Sequence, residues 1–299
     1  MDLPFVAIVI LTCNQKQVTL DCLNSFTECP YPNKQILLVD NGSDDGIMDV
    51  VNQQFPDVIV LRNEENLGAA GGRNIGIEYA RQNLDFTYIM FMDNDIVVQP
   101  DFLSKLVNGL ESCKDPSVEI ASPLLYQMGS EKMIDSAGGA VVNYYTASTQ
   151  TRGHDELDRG QYDDNVFPGA VPSTACVLLT RSAMKVAGKF DISFDPYGYE
   201  DLDMVLRANP ERKPFLFVPE AVVYHLGSKT GFSGYTAEYT RMKGQNMKRF
   251  FKRHATPFQW FCFHLLLPVL SVKTIVRELR RGNVKAIISL VKGFLGKSK

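Results

Sequence analysis

Apolar residues fall along this chain in short continuous runs: Phe5-Val-Ala-Ile-Val-Ile-Leu11, Gln35-Ile-Leu-Leu-Val39, Val58-Ile-Val-Leu61 and Tyr88-Ile-Met-Phe-Met92. Runs of that length without alternation predict strands covered on both faces. Between them the apolar positions change to helical spacing. Val18, Cys22 and Phe26 share one face, and a helix is expected from Leu67 to Gln82 with Asn66 as its cap. Pro100 opens another helix, with Phe102, Leu103, Leu106 and Leu110 along one side. Asp40-Asn-Gly-Ser-Asp-Asp-Gly46 is a dense turn signal closing the second strand. Strands alternating with helices in this way predict an α/β fold with a Rossmann-like, mostly parallel sheet sandwiched by helices and ligands at its carboxyl edge.

The pattern weakens between about 124 and 170, where a long, partly irregular excursion over the sheet is expected. Cys176–Thr180 resumes the sheet, followed by helices at Arg181–Val186 and Glu200–Arg207. Phe215–Val218 is a late strand, and Val218-Pro-Glu-Ala-Val-Val-Tyr-His225 ends in a histidine.

The last segment differs from the rest. Thr236–Arg253 reads as a basic helix, and Phe258–Leu270 as an apolar run of thirteen residues interrupted by Pro268. A single membrane-spanning helix needs about 20. Ser271–Lys299 sets Ile275, Leu279, Val284, Ile287, Ile288, Val291 and Leu295 among Lys and Arg. The expected organisation is a body at 1–235, divided into 1–123 and 124–235, and a C-terminal basic helical extension at 236–299.

Charge sharpens that division. The chain of 299 residues has a net charge of −3, but 241–299 holds fourteen Lys/Arg against one acid, Glu278, leaving −16 on residues 1–240. An acidic body argues against nucleic acid as a partner. A basic, amphipathic end argues for peripheral membrane contact through 257–299, on the inner face of the cell membrane. The alternative is a helical pair packed on the body or on a second subunit; the oligomeric state is left open, a homodimer among the options. Six cysteines without a C-x-x-C pair argue against a zinc cluster or disulfide framework and for a reduced, cytoplasmic compartment. Met1-Asp-Leu-Pro-Phe5 enters the first strand without a basic region, so no signal peptide is expected.

Candidate chemistry centres on Met92-Asp-Asn-Asp95. In an extended chain Asp93 and Asp95 would point to one side, and converging carboxylates suit a hard divalent cation that also holds phosphates. They could equally solvate a loop. Leu67-Gly-Ala-Ala-Gly-Gly-Arg-Asn-Ile-Gly76 matches neither the dinucleotide nor the P-loop spacing. Its small residues and Arg73 either receive an anion at a helix start or allow close helix–sheet packing. Asp40 either shapes a turn or accepts the N3–H of uracil or thymine. Tyr199-Glu-Asp-Leu-Asp203 is a helix cap unless a carboxylate faces the crevice, and His225 is structural unless it meets Asp95.

Taken in order, these pieces resemble the family 2 glycosyltransferases of the GT-A fold, and within them the bacterial rhamnosyltransferase-type enzymes of surface-polysaccharide assembly. The resemblance rests on Ile10-Leu-Thr-Cys-Asn14, Val39-Asp-Asn-Gly-Ser-Asp44, Asn66–Asn74, Met92–Asp95 with Pro100-Asp-Phe-Leu103, Asp135-Ser-Ala-Gly-Gly139, Gly160-Gln-Tyr-Asp163, Gly188-Lys-Phe-Asp191, Glu200–Asp203 and Val218–His225. It covers about residues 5–230. It implies that Asp40 contacts the base, Thr12 and Asn14 line the nucleotide pocket, and Arg73, Asp93 and Asn94 meet the nucleotide-sugar. It further implies Mn²⁺ or Mg²⁺ at Asp93, Asp95 and His225, with Asp201 as catalytic base beside Glu200.

The function implied is inverting transfer from a nucleoside-diphosphate sugar, UDP- or dTDP-linked with dTDP-rhamnose one candidate, to a glycan or lipid-linked acceptor. Pro196-Tyr-Gly-Tyr199 and Ala208–Pro214 depart from the family pattern on the acceptor side. A nucleotidyltransferase would carry a Gly-Arg/Lys loop after the first strand, which Thr12–Gln17 lacks. A non-catalytic membrane-associated scaffold would tolerate loss of acidic residues that are all present.

Overall fold

A computed structural model describes residues 3–162, 166–167, 170–196, 198–227, 237–280 and 284–295. Asp163, Tyr197, Ser228–Thr230 and the expected boundary at 235/236 lie outside the described residues. The first half runs β1 (Val6–Thr12), α1 (Lys16–Thr27), β2 (Lys34–Asn41), α2 (Ile47–Gln54), β3 (Ile59–Asn63), α3 (Gly68–Asn83), β4 (Tyr88–Asp93), β5 (Ile96–Val98) and α4 (Phe102–Glu111). Then come β6 (Ile120–Gln127), β7 (Ile134–Ala137), β8 (Ala140–Asn143), β9 (Ser148–Thr151), β10 (Val166–Phe167), β11 (Ala170–Val171) and β12 (Cys176–Thr180). The rest is α5 (Arg181–Ala187), α6 (Glu200–Ala208), β13 (Phe215–His225), α7 (Ala237–His254), α8 (Pro257–Arg280) and α9 (Val284–Leu295).

The main sheet has the order β10-β13-β6-β12-β4-β1-β2-β3, with β5 on β13 and β7 on β6. β4-β1-β2-β3 and β13-β6 are parallel, whereas β12 lies antiparallel between β4 and β6. β1 shows why this sheet is central. Val6, Ile8 and Ile10 pack into one apolar layer with α1, α2 and α4; Ala7 and Val9 pack into the other with α3, α5, α6 and α7. Alternate side chains of one strand thus enter two cores, which is why its sequence is apolar without interruption.

Several expectations need correction. The 124–170 excursion is largely ordered: β6 is a central strand, and β8 and β9 with β11 form a separate antiparallel sheet. The turn after Asp40 leads into a helix, α2, whose short apolar pair Ile47 and Val51 gave little periodic signal. Asn66 does not cap α3 as expected. Its Oδ1 accepts from the N–H of Gly68 (2.9 Å), while the N–H groups of Ala70 and Gly71 are capped from a distance by Asp195 (2.7 and 3.0 Å). α8 is continuous through Pro268 rather than interrupted there.

The tail divides between burial and exposure. Phe250 and Phe251 of α7 and Phe263 of α8 are fully buried against the second core. On the other side of α8, Phe258, Phe261, Leu265, Val269, Val272, Val276 and Leu279 form an exposed stripe at helical spacing. Among the described residues no helix is long and apolar enough to cross a membrane.

Candidate functional site

The carboxyl ends of β1, β2, β4 and β13 meet at one edge of the sheet, and the chemistry-bearing side chains gather there. Asp93 is the last residue of β4, but Asp95 does not follow it in extended conformation. Residues 94 and 95 form a turn before β5, so the turn, not a strand, brings the carboxylates together. β13 pairs with β5 so that His225 lies opposite Ile96, next to that turn. Leu226 N–H binds the carbonyl of Asp95 (3.0 Å) and Gly227 N–H its Oδ2 (3.2 Å). Ligand atoms of Asp93, Asp95 and His225 consequently lie within 4.8 Å of one another.

His225 is held from both sides: its Nε2 is 3.3 Å from Asp95 and its Nδ1 2.8 Å from Asp135. Burial alone would lower its pKa. The hydrogen bonds to Asp135 and Asp95 and the charges of Asp95 and Asp93 more than offset that and raise it to about 10. An imidazole oriented by one carboxylate, with its second nitrogen turned to two more, offers three donors that could hold a divalent cation. Asp135 was not assigned a role from sequence. Its motif was visible, but a contact between residues ninety positions apart leaves no local signal.

Arg73 joins this group to the second acidic cluster. Its Nη2 donates to Asp93 (2.7 Å), and its Nη1 lies 3.6 Å from Glu200 Oε1. The side chain is 9% exposed and lies over the Phe190 ring at 5.6 Å, so it is not a solvated cation. The glycines beside it divide between the two expected uses. A Cβ on Gly72 or Gly76 would strike Leu11 or Val9 of β1, so those two permit close helix–sheet packing. Gly68, at φ +81°, faces the Asp195 carboxylate, so at this helix start it is a side chain of the chain itself that caps the N–H groups of Ala70 and Gly71.

Glu200 and Asp201 begin α6. Burial raises the Glu200 carboxyl to about 7, helped by the Asp201 charge and opposed by Arg73. Asp201 is likewise raised by burial, against the Leu202 N–H and the Arg73 charge; Asp93 adds to the rise. Glu200 Oε2 and Arg73 Nη1 are buried with no hydrogen-bond partner. Such groups cost about 1–3 kcal/mol each when left unpaired, which makes them receptive to a ligand hydroxyl. Asp203, by contrast, is wholly buried between Arg207, Arg253 and His254, where it ties α6 to α7.

On the β1–β2 side, Asp40 is fully buried; it accepts the Ser43 N–H (3.0 Å) and the Arg62 guanidinium. Arg62 faces Asp40 through the β2–β3 register, one residue past the expected end of that strand. Asn14 stands exposed at φ 52°, and its Oδ1 accepts from Asp44 N–H (2.9 Å). The Thr12 and Asn94 side chains point inward instead. Both are buried, Thr12 Oγ1 pairing with Thr19 Oγ1 (2.8 Å) and Asn94 Nδ2 donating to that same hydroxyl (2.8 Å). Asp40 with Arg62 thus lies at the end of β2, while Asp93, Asp95 and His225 are joined through Arg73 to Glu200 at the start of α6.

Residues 7–149 match the sequence family described as Glycosyl transferase family 2. The glycosyltransferase AglE of Haloferax volcanii is 24% identical over 194 residues, 63% of this chain and 56% of that protein. The glycosyltransferase GlyG of Streptococcus pneumoniae is 30% identical over 120 residues, 39% of this chain and 38% of that protein. The chain thus spans about half or less of the length of these curated relatives. Among solved structures, the mannosyltransferase PcManGT of Pyrobaculum calidifontis, in complex with GDP-Man and Mn²⁺, superposes over 99% of this chain and 89% of its own, with TM-score 0.54 and 16% identity. GalNAc-T7 with UDP, GalNAc and Mn²⁺ covers 86% of this chain and 53% of its own, with TM-score 0.59 and 17% identity. The chain accordingly has the GT-A fold, and its N-terminal half is similar to glycosyl transferase family 2.

Proposed function

We propose that this protein is a metal-dependent, inverting glycosyltransferase that moves a sugar from a nucleoside-diphosphate sugar to the hydroxyl of a glycan or lipid-linked acceptor. One observation carries the reading. Asp93, Asp95 and His225, which could together hold a cation, are joined through Arg73 to the buried carboxyls of Glu200 and Asp201. A divalent cation held by these three side chains would supply positive charge against the negative charge of a leaving diphosphate. Arg73 keeps Asp93 oriented and lends its own charge beside the same site. Asp201 takes the proton from the acceptor hydroxyl, whose oxygen bonds the anomeric carbon as the bond to the diphosphate oxygen breaks. Attack from the face opposite the leaving group inverts the anomeric centre. A carboxyl raised by burial is a stronger base than an ordinary aspartate, which suits it to that proton.

The solved neighbours hold GDP-Man in one case and UDP in the other, so local residues rather than the fold choose the base. Asp40 is the candidate acceptor for the N3–H of a uracil or thymine donor, which would reach its buried carboxylate only where the partly exposed Arg62 gives way, and dTDP-rhamnose stands among the candidates. The basic tail and the exposed α8 stripe support peripheral contact with the inner face of an anionic membrane, where a lipid-linked acceptor would be found.

The test is release of nucleoside diphosphate from UDP-, dTDP- and GDP-sugars with Mn²⁺, with and without chelator, by the native chain and by Asp201→Asn. General-base assistance contributes about 10²–10⁴ in rate. Turnover should fall by that factor in the variant while Mn²⁺-dependent binding of the nucleoside diphosphate persists. Turnover retained by Asp201→Asn would remove Asp201 as the base, and turnover indifferent to chelator would remove the metal.

A further inference from the structure

Glu200 and Asp201, read above as reacting groups, stand on the first turn of α6, just after the loop that carries Asp195, Gly198 and Tyr199, and neither loop nor turn is held by the sheet alone. α7 lies beneath both. The Asn246 side chain of α7, 3% exposed, donates from Nδ2 to the Phe194 carbonyl (2.6 Å) and more distantly to that of Gly198 (3.4 Å). Those two carbonyls flank Asp195, the carboxylate that caps α3 at Ala70 and Gly71. α3 carries Arg73. One residue after Gly198, Tyr199 holds φ +74°, a left-handed conformation that costs a side-chain-bearing residue about 1–2 kcal/mol. Its ring packs on Phe250 of α7 at 5.0 Å. Further along, Arg253 bonds both Asp191 (2.6 Å) and Asp203 (2.8 Å), bridging the start of the loop to the first turn of α6.

We propose that Asn246, with Phe250, is a positioning residue for sugar transfer: the C-terminal helix α7 sets the loop from which Asp195 aligns Arg73 and from which Glu200 and Asp201 project. This rests on the reading of Glu200 and Asp201 as groups at the reacting centre. The physical reason is that one buried amide donates to two carbonyls of a loop that contains a left-handed tyrosine. No sheet ladder can supply the bond at Gly198, because the described residues there, 195, 196, 198 and 199, belong to neither helix nor strand. The basic tail is then part of the catalytic unit and not only an appendage for attachment.

The test compares kcat, donor KM and nucleoside-diphosphate Kd, measured with Mn²⁺, for the full-length chain, Asn246→Ala, Phe250→Leu and Asp201→Asn, at a temperature where melting curves show each variant folded. A displacement of about 1 Å at a reacting group costs on the order of 10²-fold. Asn246→Ala is expected to lower kcat by about 10- to 100-fold with donor KM and Kd within about twofold, and Phe250→Leu to do the same more weakly. Asn246→Ala with kcat within about twofold of the native chain overturns the proposal, as does a kcat loss matched by an equal loss of binding. If Asn246→Ala does not fold, Phe250→Leu decides by the same criteria; if neither folds, α7 is structural only and the proposal is overturned. Collapse of turnover in Asp201→Asn beside a normal Asn246→Ala rejects the positioning role alone. The reverse pattern rejects the base assignment and leaves the positioning role standing.

Discussion

Glu200→Gln offers a test of the site that needs no substrate. The Glu200 carboxyl titrates at about 7 in the folded chain against 4.5 ordinarily, first because it is buried and then because Asp201 repels its charge. Below pH 4.5 the group is protonated whether the chain is folded or not, and the linkage contributes nothing to any pH slope. Between 4.5 and 7 the unfolded chain releases the proton while the folded chain retains it, so stability falls as pH rises. Above about 7 the folded chain carries a charge it holds poorly, and the loss is complete. At 12% side-chain exposure, solvent screens little of this, and the shift corresponds to roughly 3 kcal/mol. Glutamine has the same shape and no titration, so the variant should lack that part of the pH dependence. For a chain of this size the difference is on the order of 5 °C in Tm.

The assay is a melting curve of the metal-free protein in chelator at pH 5 and pH 8, native against Glu200→Gln. His225 also loses stability as pH rises from its ordinary 6.5 through about 10, but it does so in both proteins and cancels in the difference. The native chain should lose more Tm between the two pH values than the variant, by about 5 °C. Equal losses would refute the account of Glu200 as a carboxyl forced up by its surroundings. A variant more stable at pH 8 yet slower in turnover is the pattern expected where a site carries a charge the fold would rather neutralise.

Two further outcomes follow from the geometry. Asp135→Asn removes the carboxylate that orients His225 Nδ1, and Mn²⁺ affinity measured by titration calorimetry should drop about 10- to 100-fold; an unchanged affinity would separate Asp135 from the cation site. Leu265→Glu with Val269→Glu charges the centre of the exposed α8 stripe, and co-sedimentation with phosphatidylglycerol vesicles should fall well below that of the native chain. Equal pelleting by the two proteins would assign the stripe to a protein partner or a second copy.

The amino-acid sequence determined the layout by itself wherever the information is local. Continuous apolar runs marked β1, β2, β3 and β4, because a strand packed on both faces has no polar alternation to display. The motifs at Asp40, Asp93–Asp95, Glu200–Asp201 and His225 were legible because each sits at an element's end, where a short turn carries the polar residues. β6 and β12 show the limit: only Cys176–Thr180 was recognised as strand, and its antiparallel position between β4 and β6 depends on pairings far apart in sequence.

What only the tertiary structure decided are the partners. Arg62 reaches Asp40 through a strand register, Asp135 reaches His225 from β7 across β6, and Asp195 caps the helix start that the glycines left open either to a ligand or to close packing. Thr12 and Asn94, polar residues at strand ends, turn inward to bond Thr19, since a buried hydroxyl or amide must find a partner. The Met92-Asp-Asn-Asp95 stretch places its two carboxylates together by a turn, which residue types alone do not distinguish from an extended strand. Sequence specifies which groups are available. Their charge state and direction are set by burial and by neighbours that only folding brings into contact.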